Sequence, residues 1–413
     1  MSRYAECYVC DDCGAEFDLQ SLENLCRLCG GLLEVRYDLD AVADPHALIS
    51  SGRGMWRWGQ LLPLPAEASI VTLGEGDSPL LEMPTLSSEV GVRQLFVKND
   101  SLMPTGSFKD RGYSLAVSFA KHLGLDSAFT YSSGNAGASF AAYCARSGID
   151  ATVFVEDVAN EAKRALISLH GANVYQLKYQ SSKEIFDAVT GLSSAGQYSF
   201  VNFINPIRHE AMKVCAYEIC ESLDWKAPDV VVHPVGTGGG LWGTWKGFCE
   251  LRVLGLIDKL PRMIGVQPKV CAPLFEAFVS GKSSTTATGD ASQTMAQSIA
   301  GDDMIQGGKR PLRAIRESNG TAVAVSEDSI ARAMTDLGAA AVGVEPSAAV
   351  SYAALTEGIR DGWLSADDRA VAVVTGVALK QPSVLVDVTP SIKGLVAART
   401  SEMLKVLNEG VES

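Results

Sequence analysis

Val230-Val231-Val232-His233-Pro234-Val235-Gly236-Thr237-Gly238-Gly239-Gly240-Leu241 runs a β-branched strand into four glycines within five residues, then into a helix opening at Leu241. A buried strand, a glycine turn and a helix N-terminus make an anion cradle, because backbone N–H groups can approach a phosphate where side chains are missing. The pattern is neither a dinucleotide-type G-x-G-x-x-G nor a Walker loop, since no Gly-Lys-Ser/Thr ends it. Working outward, Tyr131-Ser132-Ser133-Gly134-Asn135-Ala136-Gly137 again joins a strand to a helix, and Asn135 adds a directional polar side chain. An ordinary capped turn is the plainer reading of that loop alone. Pro104-Thr105-Gly106-Ser107-Phe108-Lys109-Asp110-Arg111-Gly112 sets a lysine at a helix start, where the dipole disfavours its ammonium form. Such a lysine suits Schiff-base chemistry, whereas a solvated surface lysine needs no special explanation.

Around these loops, short β-branched runs alternate with helical stretches. Strands are expected at Gln94 to Lys98, Ala128 to Ser132, Ala151 to Val155, Val174 to Leu177, Asp229 to Pro234, Met263 to Gln267 and Ala370 to Val374. Helices are expected at Phe108 to Leu123, Ala138 to Arg146, His209 to Leu223, Leu241 to Leu254 and Ala348 to Arg360. That alternation predicts an α/β fold with a mostly parallel sheet. Residues 1–40 form a cysteine-rich module, 41–92 a linker and extension broken by Pro45, Gly52, Gly54, Pro63 and Pro65, and 93–413 the main domain.

Five of the ten cysteines lie within the first 29 residues, where Cys10-x-x-Cys13-Gly14 and Cys26-x-x-Cys29-Gly30 are separated by twelve residues. Two such knuckles supply a tetrahedral four-thiolate site of zinc-ribbon geometry, closed and therefore structural. Cys7 stands at the same spacing before Cys10 and leaves an alternative register open. The net charge of −13, and Asp11, Asp12, Glu16 and Asp18 around the knuckles, argue against nucleic acid or anionic membrane as partner. No apolar run is long enough for a signal peptide or a bilayer span, so a cytoplasmic protein is expected. Glycine stands at 39 of 413 residues, against about 29 at average usage.

Together these motifs resemble the threonine synthase family of pyridoxal-phosphate enzymes, fold type II, along nearly the whole chain. Cys26 to Asp38 resembles the family's ribbon exit, Leu73 to Leu80 its approach to the catalytic domain, and Val374-Thr375-Gly376 the partner of the pyridine nitrogen. The resemblance implies two α/β subdomains around a cofactor cleft, with pyridoxal 5′-phosphate and a structural zinc as cofactors. A homodimer is also implied. Lys109 would then hold the cofactor and move the substrate's Cα proton, with Phe108 close to the ring and Asn135 on its 3′ oxygen. Gly236, Thr237, Gly238, Gly239 and Gly240 would cradle its phosphate, and Thr375 would meet the pyridine nitrogen with a hydroxyl.

Threonine synthases act on O-phosphohomoserine. The resemblance therefore implies Asn202, Arg208 and Lys213 for the substrate phosphate, and the turn around Ser132, Ser133 and Ala136 for its carboxylate. The chain departs from the family pattern at Met103, Thr237, Gly240, His209 to Val214 and Val377 to Lys380, most of them expected to surround the substrate rather than the cofactor ring. A cysteate-synthase-like replacement of O-phosphoserine phosphate by sulfite fits those departures. Drift among threonine synthases, or a non-catalytic paralogue that keeps the fold, are the other readings.

Overall fold

The computed structural model describes residues 3–389 except 133, 157–160, 179–181 and 195–203, together with 399 and 403. In chain order the strands are β1 (Ala5–Cys10), β2 (Glu16–Phe17), β3 (Leu33–Tyr37), β4 (Leu80–Glu82), β5 (Gln94–Asn99), β6 (Ser127–Tyr131), β7 (Asp150–Glu156), β8 (Asn173–Leu177), β9 (Val230–Pro234), β10 (Arg262–Pro268), β11 (Thr321–Val325) and β12 (Arg369–Val374). They form a small antiparallel sheet β2-β1-β3, a six-stranded sheet β11-β10-β9-β12-β5-β4 and a parallel sheet β6-β7-β8. In the large sheet only β4 is antiparallel to its neighbour. β9 is buried at every residue, and β10 and β12 at all but their first. Strands covered on both faces read as continuous apolar runs, which is why Val230-Val231-Val232 and Ala370 to Val374 announce themselves in the sequence.

β5 and β12 pair in parallel from Gln94↔Arg369 to Asn99↔Val374, with β9 on the other side of β12. The β6-β7-β8 sheet therefore falls, along the chain, between two neighbours of one larger sheet. The loops that follow β5, β6, β9 and β12 all leave from carboxyl ends of parallel strands, where open α/β sheets bind ligands. These are the four loops singled out in the sequence.

Three departures from expectation have local causes. The extension expected to run to residue 92 already contributes β4 and the helix Pro84–Val90, signals too short to carry a period. The single helix expected from His209 to Leu223 is two, Pro206–Met212 and Val214–Ser222. The first begins early because Pro206 occupies its first turn and the Asn205 side chain accepts the Arg208 N–H at 3.1 Å. The helix expected from Leu241 instead spans Gly239–Val253, so its open N-terminus lies inside the glycine loop.

Glycine also sets how close these helices come. A Cβ on Gly112 would lie 2.8 Å from Met212 Cε, one on Gly243 2.4 Å from Met212 Cβ, and one on Gly247 2.4 Å from the Lys213 carbonyl oxygen. The helix Pro206–Met212 is thus gripped between the helices Lys109–His122 and Gly239–Val253 through bare glycine faces. Part of the glycine surplus serves this packing, not phosphate approach.

The first sheet carries the cysteine knuckles and docks by charge. Lys309 reaches Asp12 at 2.9 Å, Arg310 reaches Asp11 at 2.6 Å, and Lys246 lies 3.3 Å from Glu34. Gln306 also donates to the Gly30 carbonyl at 2.9 Å. The acidic residues around the knuckles are therefore partly explained as a docking surface. Among the described residues, no helix is long and apolar enough to cross a membrane.

Beneath the lysine helix, the buried Arg111 guanidinium donates to Asp100 at 2.9 and 3.0 Å and to Glu218 at 2.6 and 2.8 Å, and Lys98 meets Glu218 at 2.6 Å. Burial pushes the Glu218 carboxyl up, but the Arg111 and Lys98 charges outweigh it and hold the group down at about 2. Glu218 therefore stabilises the fold fully above its ordinary value of 4.5, and that contribution is lost as pH falls towards 2. Arg111→Met leaves two buried carboxylates short of a partner and is expected to cost about 3–5 kcal/mol, measured by chemical denaturation at neutral pH.

Candidate active site

Ser107 and Gly376 form an isolated antiparallel bridge, the Phe108 N–H donates to the Thr375 carbonyl at 3.0 Å, and Val377 N–H to the Gly106 carbonyl at 3.0 Å. The lysine turn after β5 and the threonine turn after β12 are thereby held edge to edge. Lys109 is the first residue of its helix, with Nζ 4.3 Å from the centroid of the Phe108 ring. Its pKa is lowered to about 7. Burial is the main cause and the Arg208 charge the second, with Glu345 opposing both. The helix start contributes position, but enclosure accounts for most of the shift expected from the sequence.

One cleft is lined by Phe108, Lys109, Arg208, His209, Met212, Thr237, Gly239 and Gly240. Gly239 and Gly240 open the helix there, and the first-turn N–H groups of a helix have no intrahelical acceptor. Gly238 holds a φ of +91°, and a Cβ there would lie 2.5 Å from Pro311. At Gly240 a Cβ would come within 2.5 Å of the His233 ring and 3.0 Å of Phe108. The buried Arg208 stacks its guanidinium 4.0 Å from the Tyr113 ring centroid.

Asn135 starts the helix Asn135–Ser147 outside this lining. Its Nδ2 donates to Glu345 at 2.7 Å, while its buried Oδ1 has no hydrogen-bond partner among the described residues. A Cβ on Gly376 would sit 3.2 Å from the same Nδ2, which places Asn135 beside the threonine turn. Ser132 and Ala136 flank this helix start. Ser133 and Asn202 lie outside the described residues.

Lys213 corrects the sequence reading. Its Nζ is buried between Glu210 and Glu250, each 3.0 Å away, and 3.6 Å from the Tyr37 ring centroid. Two carboxylates already satisfy the charge, and the residue does not line the cleft. The departures from the family pattern also divide. His209, Met212, Thr237 and Gly240 line the cleft, but Met103 is buried with its Sδ accepting the Gly76 N–H at 3.3 Å, and Val377 pairs with Val344. Sequence reasoning missed the buried Glu345 and Lys163 and the half-buried Ser298, which form one polar group behind Asn135: Ser298 Oγ donates to Glu345 at 3.1 Å, and Lys163 donates to Ser298 at 2.9 Å. Only the pair Glu345-Pro346 before a helix could have drawn attention to it.

Residues 71–376 match the family described as pyridoxal-phosphate dependent enzyme. A threonine synthase of Methanocaldococcus jannaschii is 37% identical over 90% of this chain and 92% of its own. The chain belongs to the threonine synthase family. A second such relative, from Methanosarcina acetivorans, is 35% identical over 92% and 93%. Among solved structures, maize serine racemase superposes with a TM-score of 0.61 at 19% identity over 81% of this chain and 92% of its own. The threonine deaminase isoform 2 of Solanum lycopersicum superposes with a TM-score of 0.60 at 21% identity over 81% and 84%. Those two likenesses show the fold, and membership of the family makes the chain a pyridoxal-phosphate-dependent enzyme.

The residues present fit that cofactor: a lysine of lowered pKa, a helix N-terminus bare of side chains, and a buried amide oxygen lacking a partner, all on adjoining loops. Pyridoxal phosphate offered to cofactor-free protein should attach at a rate that is half-maximal near pH 7, read from the visible absorption band, and Lys109→Ala should abolish the band. A rate that climbs only above pH 9 would show an ordinary lysine.

The four-cysteine cluster expected near the N-terminus is likewise assembled. The Sγ atoms of Cys10, Cys13, Cys26 and Cys29 lie within 4.8 Å of one another, with Cys10–Cys29 at 3.4 Å and Cys13–Cys26 at 3.6 Å. Zinc–sulfur bonds of about 2.3 Å in a tetrahedron require sulfurs roughly 3.8 Å apart, so the cluster fits zinc. Each knuckle closes identically, Gly14 N–H to Cys10 and Gly30 N–H to Cys26, with both glycines at positive φ. Cys7 lies outside the cluster, facing Arg36 across β1 and β3, which closes the alternative register among the described residues. Metal analysis should find one zinc per chain, lost in Cys13→Ser.

Proposed function

We propose that this chain catalyses elimination or replacement at an O-phospho amino acid, the leading reaction being O-phosphohomoserine and water to threonine and phosphate. The observation that carries this reading is one cleft holding a buried arginine, a lysine of lowered pKa and a bare helix N-terminus. The similarity to relatives named threonine synthase supports it.

Thr237, Gly239 and Gly240, with the backbone of Gly236 and Gly238, would take the cofactor phosphate. Phe108 would pack by the ring, Asn135 would meet its 3′ oxygen and Thr375 its nitrogen. Bound pyridoxal phosphate supplies an electron sink for charge developing at the substrate's Cα. Lys109 would hold the cofactor and, once released, accept the Cα proton on Nζ, which its pKa near 7 makes available at neutral pH. Arg208 keeps its charge despite burial, because a guanidinium titrates far above working pH, and offers paired donors to the departing phosphate. Ser132, Ser133 and Ala136 would receive the substrate carboxylate, and Asn202 would add to the phosphate site.

A second reading has one observation in its favour. His209, Met212, Thr237 and Gly240, all departures from the family pattern, line the cleft itself. That placement suits a changed substrate, such as O-phosphoserine with sulfite. Offering each phospho amino acid with water, sulfite or sulfide, and reading phosphate release and the amino-acid product, decides between them. Threonine from O-phosphohomoserine is expected, with kcat/KM at least about thirtyfold lower in Arg208→Ala. Phosphate released from O-phosphoserine alone would overturn the leading reaction.

A further inference from the structure

Glu345 was overlooked in the sequence, yet it touches two of the turns that form the site. Its N–H donates to the Gly376 carbonyl at 2.9 Å, and the preceding Val344 pairs with Val377, so its backbone is built into the threonine turn. Its buried side chain reaches the loop after β6, where Asn135 Nδ2 donates to Oε1 at 2.7 Å. A Cβ on Gly376 would lie 2.4 Å from that Oε1, so a glycine there leaves the carboxylate its place.

A carboxylate has acceptors only, so the end of the Asn135 amide against it must be the nitrogen. Lys163 and Ser298 hold the carboxylate in turn. Lys163 Nζ lies 3.5 Å from Oε2, and Ser298 Oγ donates to Oε2 at 3.1 Å while accepting from Lys163 at 2.9 Å. Ser298 is itself anchored by its N–H, which donates to Ser347 Oγ at 2.9 Å. For its second hydrogen, Asn135 Nδ2 has only a long contact of 3.4 Å with Ser298 Oγ. Asn135 and Lys163 lie on the helices that follow β6 and β7, whereas Ser298 and Glu345 come from the chain on either side of β11. The contact therefore ties loops of the two larger sheets together, and the Glu345 charge is close enough to act on Lys109.

We propose that Glu345 is the positioning residue of Asn135, fixing its amide so that the cofactor's 3′ oxygen meets an N–H and not a carbonyl. The inference rests on the reading above that sets Asn135 at that oxygen. Without the carboxylate, the amide can turn over and set oxygen against oxygen. Glu345→Gln allows this, because the new amide can donate to the Asn135 carbonyl.

The test is a double-mutant cycle on the whole chain, reading the apparent dissociation constant for pyridoxal phosphate from the visible absorption band. Asn135→Ala should weaken binding about tenfold and Glu345→Gln about fivefold. The double variant should lose no more than Asn135→Ala alone, whereas independent effects would multiply to about fiftyfold. An effect of the lost charge through Lys109 would persist without the Asn135 amide, so the cycle separates the two routes. Glu345→Asp keeps the charge but shortens the reach. It should weaken binding in the wild-type background and not in Asn135→Ala, and it replaces Glu345→Gln in the cycle if chemical denaturation shows that variant unfolded. A multiplied loss, or full cofactor affinity in folded Glu345→Gln, would overturn the proposal and leave the place of Asn135 standing. Full affinity in folded Asn135→Ala would overturn the reading of Asn135, and this inference with it.

Discussion

Arg111 stands two residues beyond Lys109, and everything at the site depends on where that turn of helix is held. Its guanidinium is buried and bonded to Asp100, just past the end of β5, and to Glu218 on the helix Val214–Ser222. A buried cation left short of partners costs several kcal/mol, so the arrangement tolerates little displacement. The consequence is geometric. The lysine turn is fixed to the sheet from below, while Phe108 and Ser107 are tied to Thr375 and Gly376 from the side.

The opposite wall of the cleft is built by close approach instead of charge. Gly112, Gly243 and Gly247 let the helix Pro206–Met212 sit against two neighbours with almost no side-chain spacer. Interiors packed to this density transmit small shifts. Arg208 and His209 ride on that helix, so their position is set by backbone contacts, while the knuckle sheet reaches the same helix through Arg310 and Tyr37. One wall is thus anchored by ion pairs and the other by glycine faces and a docked metal-type module.

The net charge of −13 disfavours anions at long range, yet the proposed substrates and cofactor are anionic. The cleft answers this locally with Arg208, Lys109 and a helix N-terminus. The cations around it are not equivalent. Lys213 and Lys246 are neutralised by Glu210 and Glu250, whereas burial first and the Arg208 charge second lower the pKa of Lys109. Pairing, more than residue type, decides which of these charges could serve a ligand.

Much was legible without coordinates wherever the physics is local in the chain. A continuous Val run marks a doubly covered strand, four glycines after it mark a helix start open to an anion, and two Cys-x-x-Cys-Gly knuckles mark a four-thiolate cluster. What stayed hidden depends on contacts between distant segments. Lys213 reads as a phosphate ligand by position but is consumed by Glu250 on another helix. Glu345 reads as nothing until Asn135 is set against it, and the His209 ring meets Arg310, a hundred residues away, only in the packed chain. Residue order alone thus laid out the main alternation of strands and helices and the chemistry that each connecting loop could carry. Which side chains are spent on one another and which face the cleft emerges on packing, because pairing and burial join residues that are distant along the chain.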